Sequence, residues 1–410
     1  MRSALAAVLG AAAVTAAVAA ASWRLSLAVP PLRAEVHAPT SLGLGGDAPA
    51  PVTLPSGGSL LVEAAAGAAA PVPLAAMDAE VVRPIGSVAK TMTALAVLDA
   101  RPLAAGEDGP VLTMTAADVA LFREALAVDG SSLPVTDGQR ISERQLLLGL
   151  MLPSANNLAE TLGRWVSGGH DAFVARLNAM ARTLGMDGTH FDDPSGFSPR
   201  TVSTAADLVR LGRAALGVPA LARIVATTEA PFADGTILYN LDTLLTSVPG
   251  WLGVKTGETP SAGGCLLFAA RRTIGDAAEP VTVVGAVLAQ PHLAEALSAA
   301  RSAVESSYAG YRAVRLAGLD PALQGRVTAP WGETAGVLLA PGDGDTVALR
   351  SGTTVALVPV ALPLSDRIAA GDSVVRLEAR SGTAVLARWR VMAAAPLGPA
   401  PVLWRLFERS

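Results

Sequence analysis

Of the 31 basic residues in this 410-residue chain, 29 are arginines and only Lys90 and Lys255 are lysines. The distinction is chemical. A guanidinium keeps its proton inside a protein, whereas a buried amine can release one and act as a base. Lys90 follows Ser87 by three residues in Ser87-Val88-Ala89-Lys90, where a helical pattern begins that runs to Ala100. Residues three apart share a helix face, so the amine falls beside the hydroxyl. Unpaired N–H groups at a helix start also favour a developing negative charge. A free lysine titrates near 10.4, so a base at neutrality needs that value brought down to about 7, worth about 4 kcal/mol. Burial and a second nearby cation are the two means, and Lys255 is the only other lysine. Alone, Ser-x-x-Lys reads equally as a helix cap followed by an unrelated lysine.

Two further groups lie downstream. Lys255-Thr256-Gly257 ends an apolar, strand-like run. Glycine there leaves room along a strand edge, and Thr256 offers a hydroxyl to a carboxylate. A strand ending in an ordinary turn is the plain alternative. Between the lysines, Ser154-Ala155-Asn156 follows Leu150-Met151-Leu152-Pro153 and precedes a helical stretch. It reads as an N-cap, or as a hydroxyl for proton relay beside an amide for substrate.

The elements that must position these residues follow from hydrophobic period. Helical patterns cover 87–100, 114–127, 142–151, 156–166, 170–184, 203–215, 218–226 and 293–312. Strand patterns cover 58–65, 71–77, 251–255, 264–271 and 281–289. Strands at both ends with helices between predict an α+β fold, an antiparallel sheet flanked by helices plus a helical cluster. Short alternating runs over 325–391 predict a small C-terminal all-β domain.

Bulk properties narrow the class. Hydrophobic residues at 51% against 16% charged support sizeable cores, and length suggests two folded domains. A net charge of −4 without a basic, aromatic-rich stripe argues against nucleic acid as partner. One cysteine, Cys265, excludes an intrachain disulfide and a cysteine-based zinc site. His37, His170, His190 and His292 lack metal-ligand spacing, so neither metal nor cofactor is expected. The uncharged apolar run Ala4–Trp23, between Arg2 and Arg24, is long enough to cross a bilayer. Ala17-Val18-Ala19 is an alternative cleavage site, and either reading exports the chain. The resulting partition is 1–24 signal peptide or transmembrane anchor, 25–57 linker, 58–312 catalytic domain and 313–410 β-rich domain.

Taken in order, the three groups stand 67 and 101 residues apart and use both lysines. The set Ser-x-x-Lys, Ser-x-Asn and Lys-Thr-Gly resembles the low-molecular-mass penicillin-binding proteins, the serine D-alanyl-D-alanine carboxypeptidases. Leu148–Ala159, Leu184-Gly185-Met186, Asp193-Pro194-Ser195-Gly196, Ser203-Thr204-Ala205 and Gly253–Cys265 also look like that family. The resemblance covers roughly residues 55 to 312. It implies that Lys90 activates Ser87 to attack the bond between two D-alanines of a peptidoglycan stem peptide. It further implies an oxyanion held by the N–H groups of Ser87 and Glu258, and a proton relay through Ser154 and Lys255. Asn156 would hold the peptide, and Lys255, Thr256 and Gly257 would receive its terminal carboxylate. β-Lactams would be trapped at Ser87, outside the cytoplasmic membrane that holds the N-terminal segment. Glu258 departs from the family's usual aromatic or histidine, and its charge is expected to oppose an anionic substrate terminus. No arginine plainly matches the family's additional carboxylate-binding arginine. The alternatives are a class A-like β-lactamase, whose deacylating carboxylate would fall near His190, and a catalytically idle cell-wall-binding homologue.

Overall fold

Nine consecutive residues, Lys90 to Leu98, are buried in the helix Lys90–Ala100. A helix buried on every side belongs at the centre of a core, and here other helices surround it. Asn156–Ser167, Ala205–Leu216, Glu143–Met151 and His170–Thr183 all pack against it. In this computed structural model the described residues are 2–38, 41–43, 51–66, 71–315, 323–340, 346–382 and 384–408. They divide into two compact units, one holding 48–275 and 279–312, the other 1–47, 276–278 and 313–410.

The first unit has a five-stranded antiparallel sheet in the order Trp251–Thr259, Gly263–Arg272, Val281–Gln290, Ser59–Ala66, Val72–Met77. The early hairpin therefore closes onto the late strands, as the sequence pattern predicts. Side chains alternate across a strand, so Gly264 and Leu267 face opposite sides. Gly264 meets His292, at the start of the helix Leu293–Ala309, and Leu267 meets Gly212 of the helix Ala205–Leu216. Helices thus cover both faces, and the strand Trp251–Thr259 is left as an edge beside the helical cluster.

The second unit carries a seven-stranded sheet with a core that includes Val327, Val355, Leu377, Trp389 and Val391. Its two outer strands, Arg33–His37 and Ser41–Gly43, correct the linker expected over 25–57. Arg33, Glu35 and His37 are exposed and alternate with half-buried Ala34 and Val36, a one-sided edge strand too short to stand out among prolines and glycines. The helix Arg2–Ser26 includes a span, Ala7–Ser26, long and apolar enough to cross a membrane. At its end Arg24 donates to the Leu406 carbonyl at 2.9 Å, and Trp404 meets Trp331 edge-on.

One buried group in the first unit makes a stability prediction. Glu143 opens the helix Glu143–Met151, is fully buried, and has no hydrogen bond to either carboxylate oxygen among the described residues. Burial pushes its pKa from 4.5 to about 7 against the pull of Arg101. A carboxyl raised in the folded state stabilises the fold below its unfolded pKa and loses that contribution as pH rises through the folded one. Glu143→Gln keeps the shape without the titration. Urea unfolding is expected to show the variant gaining on the parent between pH 4.5 and about 7, by up to about 3 kcal/mol. Parallel stability profiles would contradict the buried, protonated state.

Candidate active site

The turn Gly86–Ala89 is 3₁₀, and the α-helix begins only at Lys90. This tightens the expected helical placement, because residues i and i+3 eclipse in a 3₁₀ turn. Lys90 Nζ lies 2.7 Å from Ser87 Oγ, 2.7 Å from Asn156 Oδ1 and 2.8 Å from the Ser195 carbonyl oxygen. The lysine is fully buried while Ser87 stays partly accessible. Burial drives the Lys90 pKa well below its ordinary value, the Lys255 charge adds to that, and Asp193 opposes it. Two of the three partners are acceptors only. A neutral amine would give one N–H to Asn156 Oδ1 and one to Ser195 O, leaving its lone pair for the Ser87 hydroxyl. That is how a base must face a nucleophile.

Each partner is held by local structure. Pro153 and Ser154 break the chain between two helices, and Ser154 takes a left-handed φ of 68° that ordinary side chains rarely adopt. Asn156 then opens the helix Asn156–Ser167, its backbone N–H bound to the Ser131 carbonyl at 2.7 Å. Ser154 Oγ is buried and makes no hydrogen bond among the described residues. On the other side, the Asp193 carboxylate accepts from Ser195 N–H, Ser195 Oγ, Phe197 N–H, Ser198 N–H and Thr201 Oγ1. These bonds fold 193–198 into a tight loop that turns the Ser195 carbonyl onto Lys90. Gly196 is required there: φ is +78° and a Cβ would lie 1.9 Å from the Gly86 carbonyl oxygen.

The edge strand supplies the remaining groups. Lys255 is buried, with its pKa brought from 10.5 to about 7 by burial against the opposing charge of Asp242. Asp242 is itself buried, accepts from Trp251 Nε1 at 2.8 Å and Leu244 N–H at 3.1 Å, and has its pKa raised by desolvation. Lys255 Nζ reaches the Thr256 carbonyl at 3.0 Å and Thr256 Oγ1 at 3.4 Å. A Cβ on Gly257 would stand 2.8 Å from Ile85 O and 3.1 Å from Ser87 N, so glycine lets the strand approach the serine turn. Glu258 N, in turn, lies 3.4 Å from where a Gly86 Cβ would be. The backbone nitrogens of Ser87 and Glu258 therefore border one narrow gap.

Asn156, expected to hold a peptide, also accepts from Lys90 through its Oδ1. One expectation changes. The Glu258 carboxylate was expected to oppose a substrate anion, yet it accepts from Leu293 N–H at 3.2 Å and lies 3.3 Å from His292 Nδ1. Sequence reasoning missed the Ser195 carbonyl, the Asp193 latch and Asp242. The first two lie in a stretch already recognised as family-like, but a carbonyl leaves no mark in a sequence. Cys265 is buried opposite Gly257, and burial pushes its thiol up to about 11, which leaves it an unreactive apolar filler.

Comparison with known proteins agrees with this geometry. Residues 47–286 match the D-alanyl-D-alanine carboxypeptidase family, peptidase family S11. A D-alanyl-D-alanine carboxypeptidase of Mycobacterium tuberculosis is 37% identical over 205 residues, covering 48% of this chain and 66% of that protein. A D-alanyl-D-alanine endopeptidase of Escherichia coli is 33% identical over 232 residues, covering 53% and 68%. The chain thus spans about two thirds of the length of these curated relatives. The solved structure of the Streptomyces K15 DD-transpeptidase superposes with a TM-score of 0.54 at 29% identity, covering 63% of this chain and all of that one.

If the two amines sense each other, removing the Lys255 charge must raise the pKa of Lys90. Acylation of Ser87 by a penicillin should rise with pH as Lys90 loses its proton. In Lys255→Gln that acid limb is expected to move to higher pH, measured as the rate of adduct formation by intact mass. An unmoved limb would show that Lys255 does not set the state of Lys90.

Proposed function

The chain belongs to the D-alanyl-D-alanine carboxypeptidase family of serine peptidases, and from that premise we propose that it releases the terminal D-alanine of peptidoglycan stem peptides through an ester on Ser87. The observation that carries this is the Lys90 amine, buried and shared among Ser87, Asn156 and Ser195. Lys90 takes the hydroxyl proton as Ser87 Oγ bonds to the carbonyl carbon between the two D-alanines. The carbonyl oxygen gathers charge in the gap bordered by the N–H groups of Ser87 and Glu258. As the C–N bond breaks, the proton passes through Ser154 and Lys255 to the leaving amine. Water then cleaves the ester by the reverse transfer. Lys255 and Thr256 receive the terminal carboxylate, and Gly257 keeps the strand clear of a side chain that would block it.

A β-lactam opens onto Ser87 in the same way but leaves no amine to depart, so its adduct persists. A class A-like β-lactamase needs a carboxylate free to activate the deacylating water. Near that register Asp193 is saturated by five hydrogen bonds, and Asp192 is tied to Ser198 and Arg200. Both oxygens of each carboxylate are already engaged, Asp192 Oδ1 by Arg200 Nε. An idle homologue is disfavoured because Lys90 is already held in the orientation a base requires.

The family's peptidoglycan substrate lies on the outer side of the cytoplasmic membrane. The apolar helical span Ala7–Ser26 supports export, with the N-terminal segment kept as the anchor in that membrane.

Ser87→Ala is expected to abolish both penicillin labelling and D-alanine release from a D-alanyl-D-alanine peptide, with unchanged thermal stability. Intact-mass measurement reads the label and an amino-acid assay reads the release. Labelling that survived in the variant would place the nucleophile elsewhere.

A further inference from the structure

The side chain after Lys-Thr-Gly does not face the gap that its own backbone borders. Glu258 Oε1 accepts from Leu293 N–H at 3.2 Å, with His292 Nδ1 at 3.3 Å. Leu293 begins a 17-residue helix, where unpaired N–H groups and the dipole favour a carboxylate. A second contact, independent of the first, joins the same places. Glu258 pairs with Gly264 across the ladder, and a Cβ on Gly264 would lie 2.0 Å from the His292 carbonyl and 2.7 Å from Leu293 N. Glycine is thus what lets the helix start press onto that rung of the sheet. One position before Glu258, Gly257 presses on Ile85 O and Ser87 N from the opposite face. The edge strand is held from both sides at the residue whose N–H borders the Ser87 turn.

We propose that the Glu258 carboxylate is a positioning group: by tying its residue to the start of the helix Leu293–Ala309, it fixes the Glu258 N–H as the second donor to the oxyanion. An edge strand has a ladder partner on one side only, so its free side can shift in and out of register with the serine turn. The carboxylate restrains that shift. Leu293 N–H carries most of the restraint, because the imidazole is largely exposed and an exposed ion pair contributes little. The charge that looked unfavourable for an anionic substrate is spent on the scaffold. This inference rests on the acyl-transfer reading of Ser87 and adds to it a role for a side chain.

Both acylation and deacylation pass through an oxyanion, so loosening one donor should slow both. Loss of a donor outright costs roughly 100- to 1000-fold, and a donor present but unrestrained is expected to lose about tenfold of that. In Glu258→Ala, penicillin should bind before reaction as in the parent, while acylation and adduct hydrolysis each slow about tenfold. The ester carbonyl stretch of the adduct should move to higher frequency as its hydrogen bond weakens. Glu258→Gln keeps an oxygen for Leu293 N–H and should return both rates to within about twofold of the parent. His292→Ala should change them by less than about twofold. The proposal is overturned if Glu258→Ala reacts at the parent rate, if only its initial binding changes, or if Glu258→Gln is as slow as Glu258→Ala. Failure of the parent enzyme itself to acylate at Ser87 would instead sink the acyl-transfer reading, before any variant is compared.

Discussion

An amine sealed from water is costly to keep charged, and the first unit is organised around one such amine. Lys90 sits at the head of a helix whose first nine residues are all buried. Transfer of a charged ammonium into such surroundings disfavours the proton. A neighbouring second lysine, also buried, adds repulsion to desolvation. A neutral amine in that place has two carbonyl-type acceptors for its hydrogens and a hydroxyl for its lone pair. The fold pays for that state with a core packed tightly enough to exclude water from around Lys90.

The rest of the site follows from where those acceptors must be. Asn156 reaches Lys90 because a strained Ser154 backbone lets one helix end and the next begin within a few residues. Ser195 reaches it because Asp193 spends every acceptor it has on its own loop. The edge strand can approach only because Gly257 has no side chain, and the loop only because Gly196 has none. Close packing of backbone on backbone brings the Ser87 and Glu258 nitrogens near one another, as the proposed stabilisation of a developing negative charge requires.

Much of this was legible in the sequence, and what was not has physical reasons. The three motifs, the central helix and the late strands stand out because their side chains carry both the period and the chemistry. A chain with 29 arginines and two lysines points to the lysines directly. The 3₁₀ turn at Ser87 was hidden, since spacing of three suits both helix types. The strands Arg33–His37 and Ser41–Gly43 were hidden because their pairing partners lie some 290 to 310 residues away and short edge strands depend on such partners. The role of Ser195 rests on a backbone oxygen, which any residue would supply. The direction of the Glu258 side chain depends on a helix that begins 35 residues later.

Because the chain has only two lysines, their protonation can be observed without assignment by mutation of many sites. Incorporation of lysine carrying 13C at Cε gives two resonances in the folded enzyme, each shifting as its amine titrates. The account predicts that one titrates at about 7 and the other well below its usual value of 10.5, with both returning toward 10.5 on unfolding. Two folded-state titrations near 10.5 would mean that Lys90 is a buried cation, and that Ser87 has no base beside it.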